Sequence, residues 1–155
     1  MTIRECGLIF RGYTLIKASY HETSSDKIDT DLRSGLLTAL LNFAENALLA
    51  KNVEYLEFSK KFVIAFTQDE ILSSDSIESE AIITYAILDK EKKIDKVVSH
   101  VVLPSLKEVS KQFLLTFTNK NLSETHQFKV FRKNIDEIFG LDVKTIDQRA
   151  KEFFS

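Results

Sequence analysis

An α+β domain is what this sequence predicts, with five strands in one sheet, helices on both faces of it, and the element order ββαβββα(α). Three observations carry the prediction. Two pairs of short β-rich runs each close on a tight turn, and two long stretches repeat apolar residues at helical spacing. In addition, two of the strands are apolar at nearly every position, so both of their faces must be covered.

Ile3 to Phe10 and Tyr13 to Ser19 are separated by Arg11-Gly12 alone, a hairpin with glycine in the turn. They are expected to be adjacent antiparallel strands. The polar stretch His21 to Thr30 follows as a loop, and Asp31 is placed to cap a helix over about Leu32 to Ala50. That helix is apolar along Leu32, Leu36, Leu40, Phe43 and Ala47, and again along Leu37, Leu41, Ala44 and Leu48. This arc is wider than packing on one sheet requires, which fits either deep burial or a second contact such as dimerisation.

Val53 to Ser59 and Phe62 to Gln68 make a second hairpin turning at Lys60-Lys61, and Ala81 to Leu88 supplies the fifth strand. Val53 to Phe58 alternates, whereas Phe62 to Phe66 and Ala81 to Leu88 do not. One helix cannot cover two faces, so the C-terminal third must cover the second. Asp95 to Thr118 is suited to this, with Val98, Val102, Leu106, Val109, Phe113 and Phe117 in register and Asp95 as N-cap. Pro104 should kink this helix or mark the start of its regular part. The β-branched cluster Val97, Val98, Val101 and Val102 leaves a strand as the competing reading. Asn119 to Gln127 reads as a polar loop, then Phe128 to Phe139 and Asp142 to Phe154 as one or two shorter helices divided at Gly140.

The 155 residues, 44% of them apolar, are enough for one core and one domain over 1–155. A net charge of −2 gives no general attraction to nucleic acid or anionic lipid. The single cysteine, Cys6, forms no internal disulfide and reads as a core residue of a protein in a reducing compartment. The N-terminus lacks a signal-peptide core, and no apolar run reaches the length of a membrane span. The expectation is a cytoplasmic protein that meets membranes only peripherally.

The search for chemistry yields no catalytic site, metal site or cofactor site. Gly7, Gly12, Gly35 and Gly140 are too scattered for a phosphate-binding loop, and His21, His100 and His126 are isolated. Asp26, Asp29 and Asp31 lack the glycine and distal glutamate of a calcium loop. The segment Asp69 to Glu80 holds five acids, four serines and no base. It reads as a solvated excursion or, more sharply, as an acidic docking loop tuned by phosphorylation at Ser73, Ser74 or Ser76 and anchored by Ile71-Leu72.

Two strands, a long helix, three strands and C-terminal helices, together with the segment Asp31-Leu32-Arg33-Ser34-Gly35-Leu36-Leu37-Thr38-Ala39-Leu40-Leu41-Asn42-Phe43, resemble a longin-like domain of an archaeal kind. The order is shared by the longin and profilin-like folds, and the start on a strand distinguishes it from the related roadblock fold. The resemblance implies a five-stranded antiparallel sheet with Tyr13 to Ser19 and Val53 to Ser59 at its edges. It also implies a non-enzymatic interaction module in vesicle trafficking, a platform for a small GTPase or for another longin or roadblock-type subunit, often as a homodimer. The expected contact surface is Arg33, Leu37 and Leu41 of the first helix with Glu54, Tyr55 and Glu57 of the edge strand. Since no SNARE heptad region or transmembrane segment follows, a free-standing adaptor is expected rather than a fusion SNARE. The competing reading is a small-molecule-sensing α/β domain with a core pocket beside Tyr85, and an enzyme with a dispersed site ranks below it.

Overall fold

The computed structural model describes residues 3–20, 39, 42, 55–57 and 60–140. Five antiparallel strands form one sheet: β1 (Ile3–Phe10), β2 (Tyr13–Ser19), β3 (Tyr55–Glu57), β4 (Phe62–Ile71) and β5 (Glu80–Asp89). Their order across the sheet is β2-β1-β5-β4-β3, so β2 and β3 are the edges. Of the helix expected over 32–50, only Ala39 and Asn42 are described, and both are helical.

The turn between β1 and β2 is set by Arg11 and Gly12, whose φ angles are 51° and 79°. Positive φ at both central residues is the type I′ pattern that matches strand twist. Along the same pair, Leu8 faces Ile16 and Ile9 faces Thr14, which leaves Leu15 as an extra residue on β2. This β-bulge turns Leu15 and Ile16 to the same face of the sheet. A second irregularity frees Arg4 from the β1–β5 register, and its guanidinium grips Asp89 with two bonds of 2.8 and 2.9 Å.

The absence of alternation in β4 and β5 is explained by two cores. On one face Leu8, Ala65, Ala86 and Leu88 pack beneath the C-terminal helices. On the other, Ile9, Ile64, Phe66, Ile83, Tyr85 and Ile87 form a separate buried cluster.

The C-terminal helical run differs from the expectation at its start. It begins at α1 (Ile94–Val97) with Lys93 as the cap residue, and Asp95 lies inside the first turn rather than capping it. The valine cluster is helical, not a strand. Val98–Val102 forms a π-helical turn, and α2 (Leu103–Phe117) follows with Pro104 in its first turn. Proline has no N–H to give the preceding turn and its ring crowds the carbonyl there, so the wider π turn relieves both problems. The apolar spacing outweighs β-propensity because Val98 and Val102 are needed in the core.

Asn119, at φ 69°, ends α2 in the left-handed conformation that asparagine tolerates. The polar loop expected to reach Gln127 stops earlier. Thr125–Phe131 is a 3-10 helix, continued by α3 (Arg132–Ile135) and a π turn at Asp136–Gly140. Three residues per turn align Phe128 with Phe131, and both rings meet Phe113 and Phe117 at centroid distances between 5.0 and 5.9 Å. The expected helix over Asp142 to Phe154 lies outside the described residues.

Gly7 marks the tightest packing in the sheet. A Cβ there would stand 2.8 Å from the carbonyl oxygen of Ile16 and 2.8 Å from the Tyr85 hydroxyl. Since one obstacle is backbone, Gly7→Ala should destabilise the fold by about 1–3 kcal/mol, the usual cost of overpacking. Urea denaturation monitored by circular dichroism checks this, and an unchanged midpoint would mean that β1 and β2 separate at little cost.

Candidate functional site

β3 is an edge strand among the described residues, and Tyr55 and Glu57 share one of its faces. The Tyr55 ring is half-buried against the helix-covered core, and its hydroxyl donates to the carboxylate of Asp95. This explains why Asp95 does not cap its helix: the edge strand engages it. Glu57 is exposed and accepts a hydrogen bond from Lys90 Nζ at 3.0 Å. Arg33, Leu37, Leu41 and Glu54 lie outside the described residues. The expected contact surface is therefore represented by Tyr55, a partly structural residue, and Glu57, an outward one.

The acidic segment is less of an excursion than its composition suggests. Asp69 to Ile71 belong to β4 and Glu80 to β5, which leaves 72–79 as the connection. Asp69 accepts from the Ser110 hydroxyl at 2.5 Å, and Ile71 is buried while Leu72 is partly exposed. The missing base comes from the β1–β2 turn. Arg11 donates to Glu80 at 2.8 and 2.5 Å and to Asp75 at 3.1 and 3.2 Å.

The three serines differ in accessibility. Ser73 is only 3% exposed, and its hydroxyl donates to the carbonyl of Lys120 while accepting from the N–H of Leu122. A kinase reaches it only after the loop opens. The Ser76 hydroxyl, half-buried, donates to Glu80 and accepts the N–H of Ser73, whereas Ser74 is exposed.

Sequence reasoning missed a groove at the other edge. Leu15, Ile16 and Lys17 of β2 face Thr125, Phe128, Lys129 and Arg132 across a space of about 380 Å³. Two cations, Lys129 and Arg132, thus line a space where two segments far apart in the chain meet. No run of basic residues announces them, so only the packing of the 3-10 helix beside β2 could have found the site.

The other candidates named from the sequence fall as follows. Among the described residues no group of histidine, cysteine or acidic side chains could hold a metal ion. Cys6 is buried, and burial pushes its thiol far above the ordinary range, so the nucleophilic thiolate does not form. Tyr85 is buried. Its ring lies against Gly7 and its hydroxyl donates to the buried carboxylate of Glu5 at 2.6 Å. Asp26, Asp29, Asp31 and His21 lie outside the described residues, and no helix among the described ones is long and apolar enough to cross a membrane.

Two predictions follow from these contacts. Tyr55→Phe removes one exposed hydrogen bond and should cost about 0.5–1 kcal/mol, whereas Tyr55→Ala also removes half-buried ring packing and should cost about 2 kcal/mol. Denaturant titration separates them, and equal losses would assign the whole effect to the hydroxyl.

The second prediction concerns pH. The Arg11 guanidinium holds Asp75 and Glu80 below their ordinary values of 3.8 and 4.5. A depressed folded-state value means that the contribution is complete above about pH 4.5 and is lost as pH falls through and below 3.8. Arg11→Asn keeps a residue suited to positive φ but deletes the network. The stability gap between this variant and the parent chain, measured by thermal melts, should be present at neutral pH and close by about pH 2.5. A gap that persists in acid would mean that the turn, not the ion network, is responsible.

The chain matches no protein-family model, no curated protein and no solved structure.

Proposed function

We propose that this chain is a non-catalytic protein-interaction module, a longin-type platform or adaptor for a small GTPase in membrane-trafficking-like machinery. The observation that supports the reading is the sheet order β2-β1-β5-β4-β3, in which β3 is an edge strand among the described residues. An edge strand presents unpaired main-chain groups that a partner strand can engage, while alternate side chains set specificity. Glu57 is the outward charge at this edge. The resemblance of the sequence to longin-like domains supports a GTPase, or another longin or roadblock-type subunit, as the partner class, and a homodimer through the same surface is part of the reading.

Capture from native lysate, run separately with GDP and a non-hydrolysable GTP analogue, tests it. A small GTPase should be retained in a nucleotide-dependent way, and Glu57→Lys should weaken that retention. The substitution breaks the exposed pair with Lys90, so the stability of the fold should stay within about 0.5 kcal/mol of the parent. Capture insensitive to both nucleotide and Glu57→Lys would overturn the GTPase reading.

A further inference from the structure

The net charge of −2 hides two ends of opposite sign. Where the chain enters β4 and leaves β5, Lys60-Lys61 and the connection Lys90-Glu91-Lys92-Lys93 lie side by side, joined by the Lys90 N–H donating to the carbonyl of Lys61 at 2.8 Å. We propose that this lysine-rich end docks the domain on an anionic lipid surface.

The sheet register gathers the cations. Phe62 opposes Asp89, so the residues just before β4 and just after β5 emerge at one end. α1 starts there with Lys93 as its cap residue, and Lys96 follows one turn later. Lys60, Lys61, Lys90, Lys92, Lys93 and Lys96 are all exposed. The carboxylates beside them are Glu57, Asp89, Glu91 and Asp95. Arg4 grips Asp89, Lys90 pairs with Glu57, and Asp95 takes the Tyr55 hydroxyl. Lys60, Lys92, Lys93 and Lys96 make no ion pair among the described residues. Six lysines and Arg4 therefore outnumber four carboxylates at this end.

The balance is reversed at the other end, where Asp69, Glu70, Asp75, Glu78 and Glu80 outnumber Arg11 and Lys120. β4 separates the two ends by about 30 Å, several Debye lengths at physiological salt. A plane that meets the lysine end feels those cations and not the distant acids, and the charge separation turns the domain to face it.

The composition of the patch favours a lipid surface over a nucleic acid. Nucleic-acid sites add arginine forks for phosphates or aromatic rings for bases, and neither residue type occurs in 60–61 or 90–93. A polyanion extended along the molecule would also meet the acids of 69–80, whereas a plane touches one end alone. Lysine is a flexible point charge, suited to headgroups that diffuse to meet it. The exposed apolar side chains Tyr13, Leu72 and Ile77 lie at the acidic end, so contact at the lysine end is electrostatic and does not depend on insertion.

Sedimentation of the full chain with vesicles tests this, comparing phosphatidylcholine alone with three parts phosphatidylcholine to one part phosphatidylserine. Binding should require phosphatidylserine, weaken at least about tenfold in Lys92→Glu, Lys93→Glu, and weaken likewise in the independent pair Lys60→Glu, Lys96→Glu. Added salt should release the chain. Lys107→Glu, Lys111→Glu changes the net charge equally on the exposed face of α2 and should leave binding close to that of the parent. All six positions are exposed, and thermal melts verify that each variant folds. Equal loss in the α2 variant would reduce the effect to net charge and overturn the proposal, as would undiminished binding by both lysine-end variants. Absence of binding to the phosphatidylserine vesicles would overturn it too, and capture of a labelled duplex oligonucleotide in that case would reassign the patch to nucleic acid. Only chain and vesicles are present, so the outcome is separate from the GTPase reading.

Discussion

The burial of β5 on both faces and its pairing along both edges is the constraint on which the rest of the structure depends. Ile82 through Leu88 are all withdrawn from solvent, so each backbone group must find its partner in a neighbouring strand. β4 supplies one set, in unbroken register from Phe62 opposite Asp89 to Ile71 opposite Glu80, and β1 supplies the other. With the centre occupied, β2 and β3 are left at the periphery. Alternate side chains of β5 then feed two cores, and the C-terminal helices answer the demand of one of them. The strands left with a single neighbour are therefore β2 and β3.

Much of this was legible in the sequence because burial on two faces suppresses alternation, and Phe62 to Phe66 and Ala81 to Leu88 display that directly. The Arg11-Gly12 turn was legible because few residue pairs accept positive φ twice. The helix start was not, because a cap depends on what else competes for the carboxylate, and Asp95 is engaged by Tyr55 from another element. The counter-charge of the acidic segment was hidden for the same reason: Arg11 sits in a turn that composition cannot bring near. At the candidate surface, Tyr55 and Glu57 share one side of β3, and the sequence alone does not tell that the tyrosine ring is half-buried while the glutamate is exposed.

The two edges differ in chemistry. β3 carries an ion pair, Glu57 with Lys90, and a tyrosine tied to the helix behind it. β2 carries a bulge, an exposed lysine and an apolar wall shared with Phe128. The two edges lie on opposite sides of three intervening strands.

At one end of the sheet, three segments distant in sequence are fastened together. Arg11 of the first turn holds the 72–79 connection, and that connection is bonded through Leu72, Ser73 and Ser74 to Asn119, Lys120 and Leu122 beyond α2. None of the three can fray alone, because loosening the connection frees the hairpin turn and the helix end together. Such a clasp converts local breathing into one cooperative event, so the amides of this end should share a single opening free energy rather than a gradient of them.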